Sequence, residues 1–112
     1  MTTIINDAMI ETLESKGFKR WTKAGKDRMY INATTLGLSY TTYKTGNISS
    51  AVFAGEEISN SLARKLLGSK TYIDLLQGVI VSDNATLANA AADLSGLDCE
   101  EHRSWDNIIK IA

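Results

Sequence analysis

The chain predicts an α+β fold, an antiparallel β-sheet built from hairpins with short flanking helices. Three observations carry this expectation. Runs rich in β-branched and aromatic residues come in pairs around glycine-bearing connections at 24–27, 44–47 and 77–78. The helical patterns between them are short. Their order, α-β-β-β-β-α-β-β-α-α, does not alternate as a parallel α/β fold would.

Each element has a local reason. Asn6 or Asp7 can cap a first helix, about Asp7 to Lys16, in which Met9, Ile10 and Leu13 fall at helical spacing before Gly17. Phe18–Lys23 and Arg28–Ala33 then flank Ala24-Gly25-Lys26-Asp27 as a first hairpin. In its second arm the period of two separates Met29 and Ile31 from Arg28, Tyr30 and Asn32. Leu38–Tyr43 and Ile48–Phe53 flank Lys44-Thr45-Gly46-Asn47 as a second hairpin, and two successive hairpins imply an antiparallel meander.

Ser59 or Asn60 caps a helix carrying Leu62, Leu66 and Leu67, ended by Gly68. Thr71–Leu76 and Val79–Ser82, separated by Gln77-Gly78, form a third hairpin. Asp83 or Asn84 caps an alanine-rich helix whose stripe is Leu87, Ala90, Ala91 and Leu94, with Gly96 as its stop. Ser104 can cap a last helix over Trp105–Ala112, with a strand over Asn107–Ile111 as its rival.

At 112 residues with 44% hydrophobic content, one domain over residues 1–112 is expected. A core of this size leaves apolar surface that a homodimer would hide. No stretch approaches the ~18 apolar residues of a membrane span, and the N-terminus lacks the features of a secretion signal. A cytoplasmic protein without a membrane partner is expected. Cys99, the only cysteine, allows no internal disulfide.

The net charge of −1 conceals a strong polarity: residues 1–15 carry −3, residues 16–44 carry +6 and residues 45–112 carry −4. The basic stretch has Trp21, Tyr30, Tyr40 and Tyr43 interleaved. Such a local field attracts anions whatever the total charge. Cations for phosphates combined with rings on which bases stack are what nucleic-acid surfaces need. The candidate binding residues are therefore Lys19, Arg20, Trp21, Lys23, Lys26, Arg28 and Tyr30. Arg20 and Arg28 are suited to bidentate clamping of a phosphate, and the lysines to acting as point charges. The opposing reading makes the cations protection against edge pairing and Trp21 part of the core.

Other constellations are weaker. The hydroxyls of Thr34, Thr35, Thr41, Thr42, Thr45, Ser49 and Ser50 are ordinary strand and turn residues. The helix near Ser59 is followed by β-rich residues rather than a recognition helix. Cys99 and His102 have Cys-x-x-His spacing, but a zinc site wants four ligands, and residues three apart on one helix rarely align as nucleophile and base. Asp74 and Asp83 would be the carboxylates of a hydrolase, although no motif supports one. The expectation is a protein that is not an enzyme, with no catalytic residue, metal or cofactor.

Along Gly17–Lys23, Asp27–Ala33 and Lys44–Ala51 the chain resembles small accessory proteins carried by phages and mobile elements of Firmicutes. The resemblance implies an anti-defence role, such as inhibition of a CRISPR effector, exercised in the host cytoplasm. The expected partner is a nucleic acid, a nucleotide ligand or a nucleic-acid-handling protein complex. The alternative is a protein–protein interaction module, acting as a homodimer or by occupying an effector surface, with Trp21 and Trp105 as anchors.

Overall fold

The computed structural model describes residues 5–103 and 108–111, with the side chains of 100–103 left aside. The elements among them are α1 (Asp7–Ser15), β1 (Lys19–Lys23), β2 (Lys26–Ile31), β3 (Leu38–Thr42), β4 (Ile48–Phe53), β5 (Glu56–Ile58), α2 (Asn60–Gly68), β6 (Thr71–Asp74), β7 (Val79–Ser82), α3 (Ala85–Ser95), β8 (Cys99–Arg103) and β9 (Ile108–Ile111). All strand pairs are antiparallel, so the fold is α+β. No helix among the described residues is long and apolar enough to cross a membrane.

The helices begin where side-chain acceptors satisfy their first N–H groups. Asn6 Oδ1 accepts from Met9 N at 2.9 Å, Ser59 Oγ from Leu62 N at 3.1 Å and Asn84 Oδ1 from Thr86 N at 2.9 Å. Gly96, at φ 67°, provides the left-handed stop of α3. The buried residues of that helix are Leu87, Ala88, Ala91 and Ser95, while Ala90 and Leu94 of the expected stripe are half-buried.

The strands form two sheets rather than a single meander: six strands in the order β1-β2-β6-β7-β9-β8, and three in the order β3-β4-β5. The first two hairpins part company just after β2. Asn32 Oδ1 accepts from Thr34 Oγ1, Thr35 N and Thr35 Oγ1, and Leu38 N donates to Ala33 O, so the chain turns out of the first sheet. The second edge of β2 is then taken by β6, with Arg28 opposite Asp74 and Tyr30 opposite Tyr72.

Other boundaries moved for local reasons. The first hairpin turns on Ala24-Gly25 alone, both at positive φ (54° and 77°), and Phe18 lies in the core ahead of β1. A second Ala-Gly turn, Ala54-Gly55 at 53° and 83°, creates β5, which the sequence reading missed. Strand β6 stops at Asp74 because its Oδ1 accepts from Leu76 N and Gln77 N, at 3.0 and 3.1 Å. Over residues 108–111 the expected last helix gives way to its rival, strand β9, and Cys99 with His102 lies on strand β8 rather than on a helix. Ile109 and Ile111 are buried and Ile108 and Lys110 half-buried, a period of two that β7 accommodates. Ser104 and Trp105 lie outside the described residues.

One core joins α1 and α3 to the six-stranded sheet through Ile10, Leu13, Phe18, Met29, Ile31, Ile73, Ile80, Ala88, Ala91, Ile109 and Ile111. The second packs α2 on the small sheet through Leu38, Ile48, Ala51, Phe53, Ala63 and Leu66, and Leu87 of α3 belongs to it. Helix α3 thus contributes to both cores. Among the described residues, helices cover only one face of the six-stranded sheet.

Candidate functional site

Side chains directly opposite on paired strands share a face. Lys19 stands opposite Tyr30, Trp21 opposite Arg28 and Lys23 opposite Lys26, so these six project from the side away from the helices. Arg20 stands opposite Met29, whose side chain is fully buried beneath the sheet. Six of the seven candidate residues therefore share the open face, and Arg20 belongs to the other.

The register carries that face onward. Tyr30 is opposite Tyr72, Tyr72 opposite Val81, and Val81 opposite Ile108, which makes one row across five strands, all half-buried beyond Lys19. The neighbouring row is Trp21, Arg28, Asp74, Val79 and Lys110. Trp21 is 45% exposed, which removes it from the core. Its ring stands at 84° to Tyr30 with centroids 6.2 Å apart, and Tyr30 lies 5.3 Å from Tyr72 at 42°. These are attractive edge-on and tilted contacts.

The two arginines differ in what holds them. Arg20 donates from Nε and Nη2 to Asp27 Oδ1 and Oδ2 at 3.0 and 2.8 Å, and Thr22 Oγ1 adds a third bond to that carboxylate. The hydrogen bond from Arg20 holds the Asp27 carboxyl below its ordinary pKa, and the same bond raises that of Arg20. A fork occupied by a carboxylate is not available to a phosphate.

Arg28 carries its charge differently. Its guanidinium carbon lies 4.3 Å from the Tyr72 ring centroid, and its Nη1 donates to Tyr30 Oη at 3.2 Å. That hydrogen bond is the main reason its pKa is raised. No carboxylate among the described residues pairs with it: Asp74, opposite in register, uses Oδ1 for the turn at 75–77. Lys19, Lys23 and Lys26 are exposed, and no described carboxylate pairs with them.

The rest of the basic stretch disperses. Lys16 Nζ donates to Ser95 O at 3.2 Å beneath the sheet, and Tyr40, Tyr43 and Lys44 belong to the second sheet and its turn. Tyr72 was missed by the sequence reading. Its signal was the alternation Thr71-Tyr72-Ile73-Asp74, which became informative only once β6 was known to lie beside β2.

Most of the alternative chemical groups are committed to structure. Thr34 and Thr35 serve Asn32, and Thr41 bonds Ser49 and Ser50 at 2.7 Å. Asp83 Oδ1 accepts from Lys70 N at 3.1 Å. The Cys99 thiol donates to Leu97 O, and desolvation, aided by Asp98 and Asp93, pushes its pKa up, away from an activated thiolate. No group of three or more metal-binding side chains occurs among the described residues. No family model matches the chain, and neither curated proteins nor solved structures give a match.

Proposed function

We propose that this protein is a single-stranded nucleic-acid-binding domain whose open sheet face is the binding platform. The observation that carries the reading is the shared face of Trp21, Tyr30 and Tyr72 with Arg28, Lys19, Lys23 and Lys26 around them. The Trp21 and Tyr30 rings, with the Arg28 guanidinium that covers Tyr72, offer stacking surfaces to unpaired bases, worth about 1–3 kcal/mol per base. A duplex keeps its bases stacked on one another and cannot use them. The surrounding cations meet phosphates, with Arg28 held in place by the Tyr72 ring before any ligand arrives.

Polarisation titrations with short single-stranded DNA, RNA and duplex of the same sequence test the reading. Four unpaired cations on the face predict a log–log salt slope near −3, at roughly −0.7 per phosphate neutralised. Lys19→Glu with Arg28→Glu should abolish the binding. Failure of every single strand to bind at low salt would end the proposal.

A homodimer through this face is disfavoured electrostatically. Twofold symmetry would set the same patch of lysines against itself. Any dimer that light scattering detects should therefore form through another face and persist in Lys19→Glu. The anti-defence role implied by the sequence resemblance fits the platform, because CRISPR effectors work through guide RNA and a displaced single strand.

A further inference from the structure

Next to the aromatic platform the molecule has a second, chemically distinct hollow. An open cleft of about 510 Å³ lies where three strands begin or end: Gly17 precedes β1, Asn32 follows β2, and Ser69 and Lys70 precede β6. It shares Lys19 and Tyr30 with a smaller hollow of about 420 Å³ formed by these two residues together with Arg20 and Trp21. The smaller hollow holds the Trp21 and Tyr30 rings, and the larger has Lys19, Asn32 and Lys70 in its lining.

The donors are specific. Asn32 Oδ1 accepts three hydrogen bonds from Thr34 and Thr35, which orients the side chain and leaves its NH₂ without a partner among the described residues. Lys19 and Lys70 both line the cleft, and no acidic residue among the described residues does. A cleft lined by two lysines and an amide donor suits an anion of more than one charge. A phosphomonoester carries about −1.5 to −2 near neutral pH, whereas an internal phosphodiester carries a single charge.

We infer that the cleft at Lys19, Asn32 and Lys70 receives a terminal phosphomonoester whose own nucleotide stacks on Trp21 and Tyr30, so that the face reads the phosphorylated end of a strand. The inference rests on the single-strand reading above. A free nucleoside monophosphate offers the same chemistry, and the experiment separates the two sources.

The test uses one short oligothymidylate made with a 5′ phosphate, a 3′ phosphate or hydroxyls at both ends, titrated by polarisation, with adenosine 5′-monophosphate titrated by calorimetry. One phosphorylated end should bind about tenfold more tightly than the hydroxyl strand. Lys70→Ala should lower the phosphorylated strand's affinity about tenfold and the hydroxyl strand's by no more than about twofold, because Lys70 lies beside the rings rather than among them. Lys70 is exposed, so the variant keeps its fold, which circular dichroism checks. Equal affinity for all three strands, or an equal loss for all three in Lys70→Ala, overturns the inference and leaves single-strand binding intact. Binding of the mononucleotide without any strand supports the phosphomonoester cleft and overturns the strand-end assignment. Binding of neither overturns both readings.

Discussion

The guanidinium of Arg28 lies over the Tyr72 ring, 4.3 Å from its centroid, although β2 and β6 are separated in sequence by an entire second sheet. This stacking, with the hydrogen bond to Tyr30, sets a cation among aromatic rings on the open face. The other arginine of the hairpin, Arg20, is neutralised by Asp27 on the helix side. The two should respond oppositely to mutation: Arg28→Ala weakens single-strand binding by roughly tenfold, and Arg20→Ala leaves it within about twofold. Parallel polarisation titrations of the two variants make the comparison.

Trp21 contributes ring area to the surface and little to the core, being 45% exposed. Trp21→Ala should lower single-strand affinity by about 1–3 kcal/mol for the base it stacks, while urea unfolding changes by about 0.5 kcal/mol. A large stability loss with unchanged binding would make it a core residue.

The Arg20–Asp27 pair gives the hairpin an acid limb. Asp27 has a depressed folded pKa, so its contribution is present above the unfolded value of about 4 and is lost as pH falls through the folded one. The wild-type thermal midpoint should therefore fall more steeply below pH ~4 than that of Asp27→Asn. Releasing Arg20 in that variant also makes the hairpin more basic, which should favour anions.

Both Ala-Gly turns hold an alanine in the left-handed region, Ala24 at φ 54° and Ala54 at 53°. An asparagine tolerates that conformation better and suits the first position of such a turn. Ala24→Asn and Ala54→Asn should each stabilise the protein by about 0.5–1 kcal/mol in urea unfolding. Since the turns lie in different sheets, the double variant should show the sum.

Gly17 joins α1 to β1 at φ 107°, and a Cβ there would lie 2.5 Å from Thr35 Cγ2. Thr35 cannot turn aside freely because its hydroxyl donates to Asn32. Gly17→Ala should cost about 2–3 kcal/mol, and Thr35→Ser, which removes the obstructing methyl, should restore part of it. A thermal-shift double-mutant cycle measures the coupling.

Much of the local architecture was legible in the residues. The caps at Asn6, Ser59 and Asn84 and the stop at Gly96 depend on groups within a few positions of one another. The separation of Met29 and Ile31 from Arg28 and Tyr30 follows from strand periodicity and is what the structure has. The C-terminal segment was not legible, because Ile108, Ile109 and Ile111 satisfy helical and extended periods alike. Its strand form belongs to the sheet, where β7 pairs with it.

The sequence by itself determined the α+β class, the hairpins and a basic-aromatic arm with one polar side, because each rests on neighbours along the chain. Only the tertiary structure decided which of those residues share a surface. Strand pairing is a choice among distant edges: once the turn at Asn32 took the second hairpin away, β6 filled the place beside β2 and brought Tyr72 under Arg28. The same register sent Arg20 to the helix side, where Asp27 takes its charge. A run of cations along the chain became an open face because alternate residues of a strand point in opposite directions and only one of those directions is covered by helices.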